Sequence, residues 1–123
     1  MPTESSSAQT APRLPRVLDR VPLQEGVCLR LEIPAGLAWF DGHFPDAPIL
    51  PGVAQVGWAI AFAREHFALG GDPKRIERVK FLHTARPGAR LDMELVREGN
   101  HIVWRLLEAD ALLSQGRLEF DNA

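Results

Sequence analysis

From Val21 to Ile33 the apolar residues Cys28, Leu29, Leu31 and Ile33 stand among polar ones with a partial two-residue alternation, which predicts a half-buried strand. Pro34-Ala35-Gly36 stops it. Leu37 to Leu50 keeps no period, and Pro45, Pro48 and Pro51 exclude a regular helix there, so this stretch predicts an ordered loop. From Pro51 the pattern becomes helical. Gln55 is the one strongly polar residue before Arg64, and Gly70-Gly71 is expected to end the segment. A helix so apolar is expected to be covered on nearly all sides. Further runs predict strands over Ile76 to Thr84, Leu91 to Arg97, His101 to Ala109 and Ala111 to Phe120. Arg86-Pro87-Gly88, Glu98-Gly99-Asn100 and Glu108-Ala109-Asp110 supply the turns. The expectation is an α+β fold in which four or five antiparallel strands curl round one enveloped helix.

Composition narrows this picture. The chain has 123 residues, 46% of them hydrophobic, which suits one domain with a real core. Residues 1–14 are rich in Ser, Thr, Ala and Pro and hold no apolar signal-peptide core, so they read as a disordered tail before a single domain over 15–123. The longest nearly uncharged apolar run, Gly52 to Ala63, is far short of the roughly 20 residues that cross a bilayer. A cytoplasmic location is expected. A net charge of -2 with interspersed signs gives no reason to expect nucleic acid or a membrane surface as partner. The single cysteine, Cys28, excludes an intramolecular disulfide and reads as a small buried hydrophobe on a strand.

The chemistry concentrates between Gly42 and Gly52. His43 sits in a proline-pinned loop, and Pro51-Gly52 opens the helix, so a proton-transferring side chain lies next to backbone N–H groups that have no helical acceptor. His66, His83 and His101 are spaced too widely for a metal site and lack a carboxylate pattern; they read as surface or core residues. Phe62, Phe81, Met93 and Trp104 suit core or strand packing. Trp58 either packs on the inner face of the sheet or helps shape a tunnel beside Gly57. Gly57 costs a helix about 1 kcal/mol relative to alanine and therefore needs a packing or functional reason.

Gly42-His43-Phe44-Pro45, Pro48, Pro51-Gly52, Val79-Lys80-Phe81 and Arg86-Pro87-Gly88 together resemble the 3-hydroxyacyl-acyl carrier protein dehydratases of fatty acid synthesis. Val53-Ala54-Gln55 followed by Trp58-Ala59-Ile60 is most similar to the branch found in aryl polyene and related pigment pathways. The resemblance covers roughly Val21 to Phe120. It implies the hotdog fold, an antiparallel sheet wrapped around a central helix, with two protomers side by side and active sites at their interface. It also implies that His43 is the catalytic histidine and that the Gly52 N–H holds the thioester carbonyl. Phe44, Val53, Gly57 and Trp58 would contact substrate. No resident cofactor is implied, because the substrate arrives on the phosphopantetheine of acyl carrier protein.

The resemblance breaks at one position. The family's second catalytic group is a Glu or Asp fourteen residues after the histidine, and that position here is Gly57. Glu65 is about 12 Å further along the helix axis, and Gln55 is turned by about 200° to another face. Asp41 and Asp46 flank His43, although each is also a natural turn residue. Three readings stay open: a hydro-lyase that is weak or needs a partner subunit, a catalytically impaired acyl-binding or heterodimer subunit, and a hotdog thioesterase. Arg64, Lys74, Arg75, Arg78 and Lys80 offer a docking face for an acidic carrier protein or a merely solvated one.

Overall fold

The structure is a computed structural model and describes residues 14–34 and 50–121. These form strands β1 (Arg16–Leu23) and β2 (Gly26–Glu32), helix α1 (Gly52–Phe67), then β3 (Arg75–Phe81), β4 (Arg90–Glu98), β5 (His101–Glu108) and β6 (Ala111–Glu119). The six strands make one antiparallel sheet in the order β1-β2-β4-β5-β6-β3. This is the α+β hotdog arrangement that the motif order implies.

Strand register sets the core. Val27 pairs with Leu95, Leu95 with Trp104 and Trp104 with Gly116, so one row of inward positions crosses four strands. The row Leu29, Met93, Leu106, Ser114 runs beside it. Because side chains alternate across a strand, every second residue of these strands falls on the face that α1 covers. The helix contributes Ala54, Trp58, Ala59, Phe62 and Ala63, all buried, to the same cluster. Small residues at 54, 59 and 63 let the helix lie close to the sheet while Trp58 and Phe62 fill the space between. Trp104 is fully buried and donates its indole N–H to Ser114 Oγ at 3.3 Å, which satisfies both polar groups inside the core.

Several expectations change. The sheet has six strands rather than four or five, since the apolar stretch from Val21 is divided by a turn at Gln24-Glu25. Glu25 takes a left-handed φ of 61°, a conformation that glycine or asparagine usually advertises. β1 is an edge strand, which is why Pro22 is tolerated in it. The loose alternation after Ile76 reflects a bulge between Glu77 and Lys80, with Arg78 at a φ of 57°. The helix stops at Phe67, three residues before the glycines, because Ala68 adopts the left-handed cap and its N–H bonds to the Arg64 carbonyl. Nor is α1 enveloped: Val53, Gly57 and Arg64 share an exposed face. Phe62, Met93 and Trp104 are core residues as expected, but Phe81 is half exposed, with its ring against Gly52 at the start of the helix.

Cys28 is on β2 as expected, but alternation turns it away from Leu29 and leaves it only partly buried. Burial first, then the carboxylates of Asp92 and Glu94, push its thiol above the ordinary value. Less thiolate is then present at any given pH, and alkylation by iodoacetamide at pH 8 is expected to be slower than for free cysteine, as followed by mass spectrometry. A second prediction concerns Gly116. A Cβ there would overlap the Trp104 ring, which is fully buried and has nowhere to move. Gly116→Ala is expected to destabilise the fold by about 1–3 kcal/mol, measured by urea denaturation.

Candidate active site

The start of α1 has no side-chain cap. Pro51 occupies the N-cap in extended conformation (φ -64°, ψ 150°), and its carbonyl accepts the N–H groups of Ala54 and Gln55 at 3.1 and 3.3 Å. The N–H groups of Gly52 and Val53 precede the first helical acceptor and have no partner within the helix. They lie at the positive end of the helix dipole. Leu50 fastens this turn to the sheet, since its N–H donates to the Ala85 carbonyl at 2.8 Å. The Leu50 carbonyl in turn accepts from Gln55 Nε2 at 3.4 Å.

A pocket of about 310 Å³ opens at this corner, with Gly52, Gln55, Phe81, His83 and Thr84 in its walls. Gly52 and Phe81 approach closely: a Cβ at position 52 would stand 2.8 Å from Phe81 Cζ and push the ring aside. The glycine thus lets an aromatic wall stand against the helix terminus.

The sequence-derived site residues separate in space. His43 and Phe44, with Asp41 and Asp46, lie outside the described residues. Gly52 lines the pocket. Val53 is 69% exposed on the outer side of the helix, and Trp58 is 1% exposed within the core; neither lines this pocket. Gly57 is exposed, with nothing within 4 Å of a notional Cβ. Gln55 points away from Gly57, as the helical angle requires, but that direction leads into the pocket wall. His83, whose spacing reads as that of a surface or core residue, and Thr84 are additions to the site. They reach the pocket because the segment after β3 passes the start of α1, held by Leu82 and His83 N–H bonds to the Leu113 carbonyl at 2.8 and 3.3 Å.

The other histidines lie elsewhere. His66 is exposed and stacks edge-on against Phe67. His101 does have carboxylates nearby, contrary to the expectation from spacing: strand pairing puts its Nε2 3.7 Å from Glu77 and 3.9 Å from Glu119. These three residues are close enough to hold a metal ion. Their carboxylates, however, are shared with Arg117 on Glu77 and with Lys74 and Arg75 on Glu119, which makes the cluster an ion-pair network. Arg64, Lys74, Arg75, Arg78 and Lys80 are all exposed.

Residues 21–117 match the model of the ApeI-like family, described as ApeI dehydratase. The chain belongs to this family. It is 33% identical to a chain of the dehydratase heterocomplex ApeI:P from Xenorhabdus doucetiae, with a TM-score of 0.78 over 85% of this chain and 96% of that one. An uncharacterized protein from Erwinia carotovora subsp. atroseptica is similar at 32% identity, with a TM-score of 0.71 over 85% of this chain and 94% of that one. Among curated proteins, the 3-hydroxyacyl-[acyl-carrier-protein] dehydratase FabZ of Sorangium cellulosum is 38% identical over 79 residues, 55% of this chain and 50% of that protein. The chain spans about half the length of such FabZ relatives. Family membership agrees with the hotdog fold and with the dehydratase branch to which the motifs pointed.

The open space at Gly57 has a direct energetic consequence. With no contact to lose, Gly57→Ala is expected to stabilise the ApeI-like domain by about 0.5–1 kcal/mol through helix propensity, measured by urea denaturation.

Proposed function

We propose that this protein is dehydratase-like and acts on 3-hydroxyacyl thioesters of acyl carrier protein, in fatty acid or polyene-type lipid synthesis in the cytoplasm. The carrying observation is the pocket at the uncapped start of α1, where Gly52 presents its N–H beside an apolar wall. Removal of water from such a thioester needs a base for the C2 proton, donors for the enolate-like oxygen, and an acid for the departing hydroxyl. In this reading His43 is the base. The N–H groups of Gly52 and Val53 hold the carbonyl oxygen as negative charge develops on it. Phe44 belongs to the acyl-binding surroundings, and residues 15–123 act as one unit. No resident cofactor takes part, since the phosphopantetheine comes with the carrier protein. Among the described residues, Arg78 and Lys80 make no ion pair and suit contact with an acidic partner.

Gly57 stands where the family's carboxylate is expected, so the elimination either proceeds slowly or draws its acid from a second subunit. The sheet favours a second subunit. β3 is an edge strand, and Ile76, Phe81 and Leu82, on or just beyond it, are 47%, 51% and 51% exposed. An edge of unpaired backbone groups flanked by large apolar side chains is a pairing surface for another chain. The relative from Xenorhabdus doucetiae is part of a heterocomplex, which supports a related partner as well as a second copy.

The test is dehydration of a 3-hydroxyacyl carrier-protein substrate, followed as loss of water by mass spectrometry. His43→Ala is expected to abolish turnover. Gly57→Glu is expected to raise it by about 10²- to 10⁴-fold, because a positioned general acid contributes that much and nothing lies within 4 Å of a Cβ at this position. Equal rates for wild type and His43→Ala would remove the histidine from the mechanism. Release of free thiol without dehydration would point to thioester hydrolysis instead.

A further inference from the structure

Gln55 is 2% exposed, and its Oε1 has no hydrogen-bond partner among the described residues. The orientation of the amide is determined by its neighbours. Nε2 faces the Leu50 carbonyl at 3.4 Å, and that carbonyl is held in place by the Leu50 N–H bond to Ala85. Exchanging the amide atoms would set two oxygens against each other, so the unpaired atom is the acceptor. A buried amide oxygen left without a donor is rare in native proteins. Here it belongs to a residue that lines the same pocket as Gly52. An uncapped helix terminus and the residue that carries a buried, unpaired acceptor therefore line one cavity.

We infer that Gln55 is a substrate-positioning residue whose Oε1 accepts a hydrogen bond from the 3-hydroxyl of the bound thioester. This rests on the reading of Gly52 as the carbonyl-binding residue. The two protein groups have opposite character, since the helix start offers donors and Gln55 offers an acceptor. A 3-hydroxyacyl thioester has the complementary pair: its carbonyl accepts, and its hydroxyl, two carbon–carbon bonds from the carbonyl carbon, donates. Gln55 follows Gly52 by three residues on the same helix face, and its Nε2 bond to the Leu50 carbonyl carries the amide back toward the helix start, so donor and acceptor belong to one turn. A saturated acyl chain or an enoyl product lacks that hydroxyl and leaves Oε1 unpaired. The pocket accordingly favours substrate over product by the difference of one hydrogen bond.

Binding tests this independently of turnover. The probes are a 3-hydroxyacyl pantetheine amide and its 3-deoxy counterpart, in which the amide in place of the thioester makes the C2 proton too weakly acidic to remove. By isothermal titration calorimetry, the wild-type protein is expected to bind the hydroxy compound about 3- to 10-fold more tightly, the range of one neutral hydrogen bond. Gln55→Leu is expected to bind both compounds with the wild-type affinity for the deoxy one. Gln55→Met repeats the measurement with a more adaptable apolar side chain, and retained deoxy affinity reports an intact pocket in either variant. Lack of preference in the wild type, a preference that survives both substitutions, or failure to bind either probe would overturn the inference. A preference lost in the variants, in a protein that dehydrates nothing, would leave Gln55 in place and overturn the proposed activity instead.

Discussion

A sheet with one hydrophobic face must have that face covered, and in this chain a single helix does it. Everything at the site follows from where that helix begins. The inward rows of β2, β4, β5 and β6 determine where Trp58 and Phe62 can seat, and those side chains set the position of α1 against the sheet. Leu50 then fixes the approach of the preceding chain by bonding to Ala85, next to the turn that leads into β4. The donors of the first helical turn are aimed as a by-product of burying the last three. A pocket made in this way has rigid walls on the helix side, because moving Gly52 would mean moving the core.

The fold was legible because it rests on periodicity. Alternation in β4, β5 and β6 and the unbroken apolar run after Pro51 each have one structural solution, and family motifs at Pro51-Gly52 and Arg86-Pro87-Gly88 fixed their order. What escaped notice were places where single residues adopt unadvertised conformations. Glu25, Ala68 and Arg78 have positive φ without being glycine or asparagine, and they mark a missed turn, a helix end set too late and a bulge read as weak alternation. The site was legible in part for a related reason. Gly52 is a motif residue, whereas Gln55 matters through burial, and His83 and Thr84 matter through a chain crossing that no local spacing encodes. Angle alone placed Gln55 away from Gly57 correctly. It could not say that the pocket lay on that side.

Two local costs fall within one turn of the same helix. Gly57 forfeits about 1 kcal/mol of helix propensity. Gln55 keeps a buried acceptor unpaired, worth about 1–3 kcal/mol. Neither is offset by a packing gain among the described residues. Departures from local consistency that gather in one spot are characteristic of functional sites. In this ApeI-like domain the Gln55 departure falls at the pocket, while Gly57 lies on the other, exposed face of the helix.

The bulge in β3 has a consequence for assembly. A long flat edge would accept any extended strand, in any register, and so invite fibrous self-association. The left-handed Arg78 bends this edge and breaks its hydrogen-bonding repeat between Glu77 and Lys80, while placing cations along it. A strand that joins here must tolerate an interruption at one particular spot. The irregularity that blurred the sequence pattern thus acts as a key, protecting the sheet from indiscriminate growth and restricting its edge to companions shaped for it.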